Sequence, residues 1–202
     1  MAAQADSGAG TTGVGDRALH PSSPATIQSR RPKLEAKLQQ LLDEAEIRRV
    51  HIRYCRGIDR MDWDLVRSCY HPDAIDRHGA YEGGVEGFID WAAELLPNFE
   101  STQHFTGNQY VEVHGDVAFA EHYAQASHRT KPDGDKSAMD WVVNIRYVDR
   151  MERRNGEWRI ADRMVVLDSQ RSDPVPGDLA PLENSNVGRR DKEDPSYKYQ
   201  IV

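Results

Sequence analysis

Two residues of this sequence, 45 positions apart, are of types that do chemistry together. Asp59 closes a helical segment in Tyr-Cys-Arg-Gly-Ile-Asp, and His104 sits mid-strand in Ser-Thr-Gln-His-Phe-Thr-Gly-Asn. Histidine is the side chain whose unperturbed pKa lies near neutrality. A carboxylate beside it fixes the imidazole tautomer and stabilises the imidazolium. Such a pair is a general base, suited to taking a proton next to a carbonyl before loss of water or a proton shift. Asp59 is alternatively the base itself. Tyr54 and Arg163 are candidate polar partners. The tyrosine would donate a proton to a leaving hydroxyl or polarise a carbonyl, and the arginine would hold a substrate carbonyl or carboxylate through its two-pronged fork.

Each of these residues also has a structural reading. Asp59 can cap a helix over residues 61–70, His104 can be a hydrogen-bonded core residue, and Tyr54 can simply pack. Arg163 can pair at the surface with Asp162 or Glu152. Tyr54 and Asp59 are five residues apart, roughly 140° round a helix, so they share a pocket only if the helix unwinds near Gly57.

Further candidates lie on later strands. Alternation over residues 117–129 puts His122, Ala124, Ala126 and His128 on one face and Tyr123, Gln125 and Ser127 on the other. Spacing from His104 favours Ser127 as a substrate contact, and chemistry favours His128, so both stand. Trp141, Val143, Ile145 and Tyr147 form an apolar wall, with Trp141 and Tyr147 as substrate-binding candidates. His71 reads as a helix-end residue, and His51, His78, His114 and His122 are assigned no role. Asp59, Asp62 and Asp64 lack the spaced glycine and terminal glutamate of a calcium loop, so no metal is expected.

The elements that position these residues follow from periodicity. Residues 1–31 are rich in Ala, Gly, Ser, Thr and Pro without apolar period and read as disordered. From Pro32, Leu34, Leu38, Leu41, Leu42, Ala45, Ile47, Val50 and Tyr54 recur at helical spacing, ending near Gly57. Asp62 caps a second short helix, broken at His71-Pro72-Asp73. A short strand at 74–77, a turn at Gly83-Gly84 and a helix over 85–96 come next. Strands then dominate at 102–106, 109–113, 117–129, 139–153 and 158–168, separated by turns at 114–116, 132–134 and 155–156. Helices first and a meander later predict an α+β domain over 32–168, its curved antiparallel sheet wrapping the N-terminal helices. Residues 169–202 read as an irregular tail, either disordered or ordered against the domain or a neighbouring subunit.

Composition narrows the function classes. A net charge of −7 over 202 residues argues against nucleic acid as the main partner. No apolar run is long enough to span a membrane, and no signal peptide is evident, so a cytoplasmic protein is expected. Cys55 and Cys69 fit buried reduced thiols.

The stretch from Ile47 to Asp168, 122 of the 202 residues, resembles the SnoaL-like group of the nuclear-transport-factor-2-like superfamily, a cone-shaped α+β fold. The helix ending Tyr54-Cys-Arg-Gly-Ile-Asp59, Tyr70-His-Pro-Asp-Ala, Gln103-His-Phe-Thr-Gly-Asn108, and Tyr147 with the run Arg153 to Arg163 carry the resemblance. It implies that Asp59 and His104 match the Asp/His dyad of scytalone dehydratase, bile-acid 7α-dehydratase and hexachlorocyclohexane dehydrochlorinase. Tyr54 resembles the bile-acid enzyme's tyrosine, and Arg163 after Trp158 resembles an arginine of the dehydrochlorinase. The dehydrochlorinase has a lysine where Tyr54 stands, which argues against dehydrochlorination here.

The expected protein is therefore a dehydratase-like lyase without cofactor, acting on a small hydrophobic cyclic substrate such as a steroid, polyketide or aromatic-pathway intermediate. His104 is the base, Asp59 orients it, and Tyr54 and Arg163 stabilise oxygen charge. The alternatives are a ketosteroid-isomerase-like isomerase or cyclase with Asp59 as base, and a non-catalytic binding or assembly module. A homo-oligomer, dimer or trimer, is expected.

Overall fold

The computed structural model describes residues 24–134, 136–176, 183 and 185–200. The expectation for residues 1–23, and the apolar tail residues Leu179, Leu182 and Ile201, lie outside that range. Two compact units divide at Lys37. The described part of the first is the leading portion of helix α1 (Pro24–Arg60), where Arg31 and Glu35 pair at 3.5 Å. Helix α1 thus starts eight residues ahead of Pro32, and residues 24–31 are helical. Proline at a first helical position costs no hydrogen bond.

The second unit, from Leu38, contains the rest of α1. Its buried face is Ile47, Val50, His51, Tyr54, Cys55 and Ile58, at the i, i+3, i+4 spacing of an amphipathic helix. Leu38, Leu41 and Leu42, part of the expected stripe, are 55%, 62% and 48% exposed. Gly57 does not stop the helix, which runs on to Arg60 and closes with Met61 in the left-handed region at φ 49°. Amides of Met61 and Asp62 return to the carbonyls of Ile58 and Gly57, at 3.2 and 2.8 Å, satisfying the last turn. Gly57 is required by contact instead. A Cβ there would lie 2.7 Å from Val66 Cγ2 and 3.1 Å from the Val66 nitrogen.

Asp62 accepts from the Leu65 amide and caps α2 (Trp63–Ser68). The chain passes directly into β1 (Tyr70–His78), so His71 is a strand residue, its Nε2 2.9 Å from the Glu152 carbonyl. The turn falls at Gly79, φ +64°, and Gly83 and Gly84 belong to β2 (Tyr81–Gly84). Helix α3 (Val85–Leu95) follows, with a 3-10 turn at Leu96–Asn98. Residues 102–106 and 109–113 are one strand, β3 (Phe99–His114), irregular between Thr106 and Gln109. Strands β4 (Val117–Thr130), β5 (Met139–Arg154) and β6 (Glu157–Pro174) complete the sheet. Its order is β2-β1-β6-β5-β4-β3, antiparallel throughout except for the parallel pair β1/β6. The fold is α+β, an unclosed curved sheet whose concave face receives α3 and the part of α1 from Ile47 onward. Irregularities in the β3/β4 and β5/β6 registers help to bend it.

Strand β6 continues six residues past Asp168, so the tail begins later than expected. Part of that tail docks back on the domain. Lys192 and the Tyr197 hydroxyl bond Asp62, Arg56 reaches the Ser196 hydroxyl at 3.2 Å, and Arg60 pairs with Asp194 at 3.4 Å.

Candidate active site

Asp59 and His104 meet. On β3, Thr102 and His104 point to the same face by strand alternation, and the last turn of α1 packs over them. His104 Nδ1 lies 2.8 Å from Asp59 Oδ1, its own amide donates to Asp59 Oδ2 at 2.9 Å, and the Thr102 hydroxyl donates to Oδ1 at 3.2 Å. Asp59 is buried, and every oxygen has a donor. This fixes the tautomer with the proton on Nδ1 and leaves Nε2 with its lone pair. Nε2 has no hydrogen-bond partner among the described residues.

The imidazole of His104 lines a cavity of about 290 Å³, close to the lower size of small-molecule sites. Tyr54 and Ile58 of α1, Phe88 and Trp91 of α3, and Val143 and Ile145 of β5 form much of its apolar wall. The register explains who faces it. His104 stands opposite Ala126, and Ala126 opposite Val143, while Thr102, His128 and Trp141 form the adjacent row. His128 and Trp141 line the cavity. Ser127, paired with Gln103 and Val142, is on the other face, so the strand parity excludes it as a substrate contact. The His128 ring stands perpendicular to His104 at 5.8 Å. Burial, then the neighbouring His104, pushes His128 down to about 4, so it is neutral at pH 7.

Tyr54 lines the cavity with no unwinding of α1, while Asp59 holds His104 from behind and is absent from the cavity wall. Arg163 departs from expectation. It is fully buried and off the cavity wall, and its fork is spent on Asp149, with both bonds at 2.7 Å. Its guanidinium carbon stacks 4.2 Å from the Tyr54 ring, 4.5 Å from Tyr147 and 5.6 Å from Tyr70. Neither Asp162 nor Glu152 is its partner, because Asp149 is its neighbour across β5/β6. Tyr147 is likewise fully buried and packs beneath the wall. Burial raises the hydroxyl pKa of Tyr54 and Tyr147 well above the ordinary value.

Sequence reasoning missed Thr102, His78, Phe88, Trp91 and Asp149. Thr102 had a signal, since it is two residues from His104 and shares its face. Asp149 and Arg163 had none, because their pairing is set by register. Below the cavity, His51 and His122 stack in parallel, 4.0 Å apart and 6° between planes. Their nitrogens and an Asp149 oxygen lie within 4.8 Å of one another. Both oxygens of Asp149 already accept from Arg163. Burial depresses both histidines, His122 to about 3, and lifts the free thiol of Cys55 to about 12.

An unclosed curved sheet with helices over an apolar cavity, and His104 on the cavity wall backed by Asp59, is an α+β fold of the nuclear-transport-factor-2-like kind. Residues 39–164 match the SnoaL-like domain, and the chain belongs to that family. Among solved structures it is similar to a type 2 hexachlorocyclohexane dehydrochlorinase (LinA), with a TM-score of 0.62 and 22% identity over 73% of this chain and 99% of the other. It is also similar to the Kfla4162 protein from Kribbella flavida, TM-score 0.60 and 19% identity over 65% and 95% of the two chains. A third, described as a candidate scytalone dehydratase from Novosphingobium aromaticivorans, gives 0.58 and 16% over 70% and 97%. No curated protein matches the chain. No helix among the described residues is long and apolar enough to cross a membrane.

Proposed function

We propose that this protein is a dehydratase-like lyase that removes water from a small hydrophobic cyclic substrate by acid–base chemistry alone. The observation that carries the reading is the 2.8 Å contact from Asp59 to His104, whose imidazole lines an apolar cavity. His104 Nε2 takes the proton on the carbon next to a carbonyl, and Asp59 keeps Nδ1 protonated and stabilises the imidazolium that forms. Tyr54, its hydroxyl held neutral, donates a hydrogen bond to the carbonyl oxygen as negative charge develops there. Arg163 acts on Tyr54 only through its ring and sets its position. The SnoaL-like fold of this chain is shared with solved structures named for a dehydrochlorinase and a scytalone dehydratase.

The isomerase reading with Asp59 as base is disfavoured, because both Asp59 oxygens are occupied and the carboxylate is off the cavity wall. The test is incubation with a panel of mono- and bicyclic β-hydroxy ketones, read by product mass. The wild type is expected to release product lighter by one water, and His104→Ala and Asp59→Asn to lose about 10²–10⁴-fold in rate. Full activity in both variants, or a product of unchanged mass, sinks the lyase reading.

A further inference from the structure

A second carboxylate–histidine pair borders the same cavity. His78, at the end of β1, lines it beside Tyr54. Its ring rests against Phe88 and Trp91, with centroids at 5.0 and 5.9 Å, and its side chain is 20% exposed. His78 Nδ1 lies 3.3 Å from Asp76 Oδ1. Asp76 is fully buried, and its other oxygen accepts from the Tyr70 hydroxyl at 2.6 Å. Tyr70 is in turn 3.3 Å from Arg163 Nη1. Strands β1 and β3 are separated by three others in the sheet, so His78 and His104 enter the cavity from different ends of it.

His78 borders a buried charged cluster. Asp76 and Asp149 are buried carboxylates, and Arg163 is the buried guanidinium between them. Arg163 spends two bonds on Asp149, and Tyr70 is a neutral donor. Isolated buried carboxylates are costly unless a cation faces them. The group facing Asp76 Oδ1 is the imidazole of His78. Burial pushes the Asp76 carboxyl up, but the bond and charge of His78, with Arg163 and Tyr70, outweigh it and hold the group ionised. The His104 pair is built differently. Asp59 takes three bonds, from a hydroxyl, an amide and Nδ1, where Asp76 takes its bonds from a phenol and Nδ1.

Resting on the lyase reading above, we propose that His78 is the general acid of the reaction and that Asp76 orients it. The substrate class narrows to cyclic β-hydroxy carbonyl compounds with a poor leaving group. His104 Nε2 takes the α-proton, the C–H electron pair becomes the new C=C bond, and the β-carbon–oxygen bond breaks. The departing oxygen takes the Nε2 proton of His78 and leaves as water. His104 ends protonated and His78 neutral, and a proton passing between them through solvent restores both.

The experiment uses two probes with one product, β-hydroxycyclohexanone and β-acetoxycyclohexanone, because acetate leaves without being protonated. His78→Gln is expected to lose about 10²–10⁴-fold on the hydroxyl probe, the usual worth of general acid–base catalysis, and less than about tenfold on the acetoxy probe. His78→Phe, which keeps the packing on Phe88 and Trp91, is expected to give the same split. His104→Ala is expected to lose activity on both. Equal losses on the two probes, or no loss, in folded His78 variants overturn the assignment. A wild type that eliminates from neither probe overturns the lyase reading, and this inference with it.

Discussion

At the scale of single residues, the site is a matter of which lone pairs are left over. Asp59 uses both oxygens on Thr102 and His104, so the free nitrogen of His104 is the basic atom facing the cavity. Thr102→Val removes one neutral hydrogen bond, about 1 kcal/mol, and is expected to lower kcat about fivefold with little change in KM. Arg163 is a residue of the core. Arg163→Met leaves Asp149 buried without its partner and is expected to cost about 3–5 kcal/mol in denaturant unfolding. The pairing of Asp59 with His104 was legible in sequence through the resemblance of the motifs around them, because either residue alone also reads as a helix cap or a core histidine. The role of Arg163 was not, since nothing in its neighbours along the chain reveals that Asp149 lies across the β5/β6 ladder.

At the scale of elements, the close approach of α1 and α2 sets where Asp59 sits. Gly57 permits that approach, and Gly57→Ala is expected to destabilise by about 1–3 kcal/mol through overpacking against Val66, measured as a lower melting temperature. Sequence periodicity located α2, α3 and the long strands, because amphipathic patterns and turn residues are local. It put the turn at Gly83-Gly84 instead of Gly79, since paired glycines mimic a turn, and here they sit in a short edge strand. It also left open which face of β4 looks inward. Parity along a strand repeats every two residues, and only pairing with β3 and β5 shows that His128 faces the cavity and Ser127 does not.

At the scale of the whole molecule, the interior holds several neutral histidines, and this couples stability to pH. His128 and His122 are pushed down to about 4 and about 3 in the fold, chiefly by burial, against about 6.5 in an unfolded chain. Between about pH 4 and 6.5 the unfolded chain binds more protons, so stability is full above that window and falls as pH drops through it. Each histidine contributes up to about 1.4 kcal/mol per pH unit, and His51, depressed in the same direction, adds to the trend. Urea unfolding across this window is expected to show that slope, and His122→Phe to flatten it by about one proton. The central claim remains that His104 takes a carbon-bound proton. Its most direct test is the rate of elimination from β-hydroxycyclohexanone, with and without deuterium at the α-carbon, by the wild type and His104→Ala. Slower turnover of the deuterated probe by the wild type and a loss of about 10²–10⁴-fold in the folded variant are expected. Turnover by His104→Ala at the wild-type rate would contradict it.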